Sequence, residues 1–126
     1  MKPETVTKSI AQFIFEKKGF DVKVLQMYKV TTLTDYFIIC SADSDTQVKA
    51  IADHIEDKMT EQGIKLWHKE GYRSLSWVLL DYVDIVVHVF KNEVRSFYNL
   101  ERLWGDAPIV EIKDKPVKKL KVKSEK

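Results

Sequence analysis

One cysteine, three prolines and four glycines in 126 residues leave several kinds of chemistry without their raw material. The lone Cys40 cannot close an intrachain disulfide. It lies inside an apolar run, where a buried, reduced and unactivated thiol is expected. The glycines stand singly at positions 19, 63, 71 and 105, so there is no glycine-rich loop to cradle a phosphate. No apolar run approaches the roughly 20 residues of a membrane span. The opening residues, MKPETVTKSI, hold neither the apolar stretch of a signal peptide nor the arginines of a transit sequence. A cytoplasmic protein is therefore expected. His54, His68 and His88 match no zinc-ligand spacing, and each is expected to be a hydrogen-bonded structural or surface histidine. Neither metal nor cofactor is implied.

Charge is unevenly placed. The net charge of +2 divides into a folded part and a tail of opposite sign. Residues 113–126 hold seven lysines against Asp114 and Glu125; the other 112 residues hold fourteen basic and seventeen acidic side chains. The length suits one domain with a modest core, placed at residues 1–110, followed by a basic, flexible tail at 111–126. That tail could touch RNA phosphate without specificity, or serve only as a solubilising end. Elsewhere no basic stripe with interleaved aromatics signals RNA reading.

What the chain has in plenty lies between residues 76 and 104, SWVLLDYVDIVVHVFKNEVRSFYNLERLW. Two apolar runs, residues 77–82 and 85–90, flank Val83 and Asp84, which predicts two strands with a very tight connection. Alternation puts Val78, Leu80 and Tyr82 on one face of the first run and Trp77, Leu79 and Asp81 on the other. Both faces are apolar. Either helices cover both sides of the sheet, or one face waits for a partner. Aromatic residues set beside acidic ones favour a protein-binding surface over a catalytic cleft.

Upstream, the spacing of Val6, Ile10, Phe13 and Ile14 predicts a helix over residues 3–18, with Gly19 taking the left-handed turn that stops it. Residues 20–28 alternate as a half-buried strand, and Tyr36 to Cys40 reads as a central strand. Ser44 with Gln47 forms a capping box for a helix ending at Gly63. A short strand is predicted over 64–67, a polar loop over 69–75, and a last helix over 93–104 capped by Asn92. The fold class is α/β (α+β): a mixed sheet with helices mainly on one face, in the order α-β-β-α-β-β-β-α.

Asp81 and Asp84 raise one enzymatic alternative. Two carboxylates projecting from one sheet end could hold Mg²⁺ and position a nucleotide, as in nucleotidyltransferases. Asp84 is followed by Ile85 and Val86, however, so the usual second ligand is missing, and so is the glycine-serine turn. The plainer reading is that the two aspartates cap a tight turn.

The markers Asp35-Tyr-Phe-Ile-Ile, Ser44 with Gln47-Val-Lys-Ala-Ile-Ala52, Glu70-Gly71, Trp77-Val-Leu-Leu-Asp-Tyr82, Asp84-Ile-Val-Val-His-Val-Phe90, Arg95-Ser-Phe-Tyr98 and Leu100-Glu-Arg-Leu-Trp104 together resemble the ribosomal silencing factor family, also called iojap-like. The resemblance covers residues 10–106. The chain departs at Val83 and Asp43, where the family often has glycine. It implies a nucleotidyltransferase-like fold without catalytic activity, often dimeric. It also implies binding to ribosomal protein uL14 on the joining face of the large subunit, which would block the small subunit and repress translation when nutrients run short. On that basis Trp77, Leu79 and Tyr98 are candidate contacts, with core packing as the alternative for each. Glu70, Asp81 and Glu101 are candidates for rim pairing. Arg95 would act at the interface or pair with Asp84 or Glu101 inside the chain. Trp104, Phe90 and Phe37 are assigned to the core, and Trp67 to the core or a dimer contact.

Overall fold

The computed structural model describes residues 2–114, and its first helix, α1 (Pro3–Glu16), begins where Pro3 and Glu4 suit the first turn. Val6, Ile10, Phe13 and Ile14 form its buried stripe. Lys18, not Gly19, takes the left-handed turn, at φ 69°. Glycine is needed at 19 for space, since a Cβ there would collide with Ile14 Cγ2. β1 (Phe20–Gln26) follows, and a 3-10 turn (Met27–Lys29) ends it two residues earlier than alternation suggests. β2 (Tyr36–Ala42) then leads to α2 (Asp45–Glu61).

Ser44 caps α2 by accepting from the Gln47 amide at 3.2 Å. The reciprocal arm of the box reaches one residue further back: Gln47 Oε1 accepts from the Asp43 amide. Gln47 Nε2 donates to the carbonyls of Lys17 and Lys18, so one side chain ties the end of α1 to the start of α2.

The next strand is displaced from its expected place. Ile64 and Leu66 pack against the helix-side core, and ladder pairing begins only at β3 (His68–Glu70). Glu70 therefore lies on a strand, not in a loop. β4 (Trp77–Asp81) and β5 (Ile85–Lys91) form the anticipated tight pair. The last helix is broken. α3 (Asn92–Tyr98) stops where Asn99 takes φ 43°, and α4 (Leu100–Leu103) restarts with Asn99 as its cap. Asn92 is the first residue of α3 and makes no capping bond, Lys91 holding the cap position. A sixth strand, β6 (Ile109–Ile112), absent from the sequence reading, pairs antiparallel with β1 and runs across the position 110 boundary.

The sheet order is β3-β4-β5-β2-β1-β6, with β2 and β5 parallel and all other neighbours antiparallel. The fold is therefore a mixed α+β sheet. α1 and α2 cover one face, burying Val22, Val24, Ile38, Cys40, Val78, Leu80, Val87 and Val89 among Ile10, Ile14, Ile51 and Ile55. Burial pushes the Cys40 thiol up to about 12, leaving it protonated and inert. The short α3 and α4 lie on the opposite face, over a smaller cluster of Leu25, Met27, Ile39, Phe90, Leu100 and Ala107.

Candidate protein-docking face

Directly paired residues on neighbouring strands share a face, so the register maps this second face row by row. One row runs Glu70, Leu79, His88, Ile39 across β3, β4, β5 and β2. The next runs His68, Asp81, Val86, Phe37, and continues to Leu25 on β1. A third joins Trp77, Phe90 and Ser41. The alternation expected for residues 77–82 holds: Val78, Leu80 and Tyr82 are buried beneath the helices, while Trp77, Leu79 and Asp81 are half-buried on the other side.

Trp77 is neither free nor sealed. Its indole stacks on Phe90, with centroids 4.9 Å apart at 25°, and meets the exposed Tyr98 ring at 4.7 Å. Its Nε1–H donates to His88 Nδ1 at 3.1 Å. That bond fixes the neutral tautomer of His88, with its proton on Nε2. Burial holds the imidazole pKa down to about 3, so the ring stays neutral. Nε2 has no hydrogen-bond partner among the described residues; the ring stands edge-on to Phe37 at 4.6 Å. Phe97, next to Tyr98 on α3, is 82% exposed.

At the other end of β4 the sheet surface opens into a groove of about 490 Å³. Phe37 and Val86 belong to the sheet rows that run into it, Trp67 and Trp104 line it, and Leu33 reaches in from the loop after the 3-10 turn. Trp67 and Leu33 are 70% and 85% exposed. Among the described residues of the lining, Asp81 is the one that carries a charge. Exposed apolar side chains thus border the groove on more than one side.

The acidic candidates separate. Glu70 is exposed and hydrogen-bonds His68 at 2.6 Å, on the rim beside Leu79. Asp81 keeps to the groove and its Oδ1 accepts from the Val83 amide at 2.8 Å, capping the β4–β5 turn. Glu101 is taken up inside the chain: it accepts from Arg95 Nη2 at 3.1 Å and lies 3.7 Å from Lys23 Nζ. Arg95 is 6% exposed and also donates to Ser41 Oγ at 2.9 Å and to the Asp21 carbonyl. Held by these bonds, it pins α3 to the sheet, and the carboxylate it hydrogen-bonds within the chain is that of Glu101, not Asp84. Asp84 is exposed, and its carbonyl accepts from the amides of Asp35 and Tyr36. Among the described residues no group of three or more His, Cys, Asp or Glu is placed to hold a metal ion. Asp81 caps the β4–β5 turn with its side chain, and Asp84 enters that turn through its backbone.

Sequence reasoning misses the groove. Leu33 falls in a stretch that reads as a polar connection, Trp67 reads equally as core or dimer contact, and Val83 reads as turn punctuation. Phe37 and Trp104, assigned to the core, are half-buried and line the groove. Only the register, which sets distant strands side by side, brings these residues together.

The whole chain, residues 1–126, matches the family model described as "Ribosomal silencing factor during starvation". The Bacillus subtilis ribosomal silencing factor RsfS is 43% identical over 112 residues, covering 89% of this chain and 95% of that protein. The chloroplastic Iojap protein of Zea mays is 36% identical over 104 residues, covering 82% of this chain and 45% of that protein. A crystal structure of a protein from Chromobacterium violaceum superposes with a TM-score of 0.81 at 37% identity, covering 83% of this chain and 88% of that one. Family model, relatives and fold agree: this chain belongs to the ribosomal silencing factor family.

Proposed function

We propose that this protein silences ribosomes in the cytoplasm by docking its uncovered sheet face on ribosomal protein uL14 of the large subunit, where it stands in the way of the small subunit. Translation is then repressed, as the family description "during starvation" suggests for nutrient limitation. The observation that carries the reading is the half-covered apolar patch of Trp77, Leu79 and Tyr98, beside an apolar groove that begins at Asp81 on the same face of β4. Tryptophan and tyrosine are favoured anchors at protein interfaces. Glu70 and Asp81 on the same face suit a basic partner, and ribosomal proteins are generally basic. No chemistry is needed, since occupying the surface is enough.

Off the ribosome the same face would be covered by a second copy, giving a homodimer that must part before docking. The lysine tail would add at most incidental contact with ribosomal RNA.

Mixing purified protein with separated subunits and measuring joining by gradient sedimentation tests the reading. Wild type should reduce joining. Trp77→Ala should weaken binding to large subunits roughly 30-fold, the equivalent of about 2 kcal/mol for a centrally buried anchor. Circular dichroism should show the variant folded. Undiminished activity in a folded Trp77→Ala protein would refute the docking assignment.

A further inference from the structure

We infer that His88 is a positioning residue for docking: its Nδ1 holds the Trp77 indole in the one orientation presented to a partner. The inference rests on the docking face proposed above. Stacking on Phe90 and contact with Tyr98 confine the plane of the indole. They do not choose between its two flipped orientations, because the outer torsion of tryptophan is broad and roughly two-fold. Both flips keep the plane of the indole. Only one aims Nε1–H at His88 Nδ1, and the other leaves a buried acceptor unpaired.

The acceptor is rigid. His88 sits in the middle of β5, 3% exposed, with Phe37 against its ring. Burial keeps it neutral, so Nδ1 remains an acceptor across the physiological range. An aliphatic or phenyl side chain would fill the same space without stranding Nε2. The imidazole makes one hydrogen bond among the described residues, and that bond goes to Trp77. Orienting the indole is thus what the polar ring contributes beyond packing.

The test measures binding of the full chain to purified large ribosomal subunits. His88→Phe keeps an aromatic ring and removes the acceptor. We expect it to melt at or above the wild-type temperature and to bind about fivefold more weakly, the factor that one ordinary hydrogen bond is worth. Trp77→Phe removes the same bond from the other side. The double variant should bind no more weakly than Trp77→Phe alone. In proton–nitrogen spectra the indole N–H resonance that vanishes in Trp77→Phe should shift upfield and exchange faster with water in His88→Phe.

A His88→Phe protein that binds like wild type, while Trp77→Ala is weakened, overturns the positioning role and leaves the docking face standing. Wild-type binding by folded Trp77→Ala overturns both. Should His88→Phe fail to fold, His88→Leu, which also removes the acceptor, decides: undiminished binding rejects the role, and a loss of about fivefold upholds it.

Discussion

Burial of His88 ties the stability of this protein to pH. Its folded pKa lies near 3, below the 6.5 of an exposed histidine, so the unfolded chain takes up the proton first as pH falls. The contribution is fully present above about pH 6.5 and fades by about 1.4 kcal/mol per pH unit on the way down to about 3. Urea unfolding at pH 7 and pH 5 should show a loss of stability in wild type that exceeds the loss in His88→Phe by about 2 kcal/mol. Equal losses would contradict the buried, neutral imidazole. Val83 makes a second case. It holds φ 75° at the centre of the β4–β5 turn, a conformation costly for a β-branched residue, with the Asp84 amide bonded to the Tyr82 carbonyl. It also lines the groove. Val83→Gly should therefore gain roughly 1 kcal/mol in thermal stability and lose affinity for large subunits. A variant improved in both respects would remove Val83 from the docking face.

Among the elements, α3 depends most on a single anchor. Arg95 reaches from it to Ser41 on β2, to the Asp21 carbonyl on β1 and to Glu101 on α4. Removing one partner of a buried charged pair leaves the other uncompensated. Arg95→Met should cost about 3 kcal/mol in denaturant unfolding, and Glu101→Gln less, because Glu101 is more exposed. A negligible loss for Arg95→Met would show the network to be solvated.

Period-two alternation in β4 and period-3.6 stripes in α1 and α2 record burial directly, so those elements and the two faces of β4 are legible in the sequence. The break at Asn99 is not, since Phe97, Leu100 and Trp104 keep intervals of three and four across it. β6 hides because Ile109 and Val110 stay exposed at a sheet edge, where burial writes no pattern. The role of Arg95 hides because its partners Asp21 and Ser41 lie 74 and 54 residues away. Glu70-Gly71 acquires a reason only in three dimensions: Gly71 holds φ 94°, and a Cβ there would collide with the Trp77 carbonyl oxygen.

At the scale of the molecule, one face of the sheet is closed by two long helices and the other is half-closed by two short ones. The proposed silencing activity belongs to the half-closed face, and the basic tail beyond residue 114 lies outside the described residues. Deleting residues 113–126 should lower large-subunit affinity only slightly. The salt dependence of binding should flatten a little, in proportion to the number of lysines that meet phosphate. Abolished binding would transfer the activity from the sheet to the tail.

All three tryptophans of the chain, Trp67, Trp77 and Trp104, border the same half-closed face. The protein thus carries an intrinsic optical probe at the place where a partner is proposed to settle. Docking should shield every indole at once, moving emission to shorter wavelength and protecting it from acrylamide quenching, with no label attached.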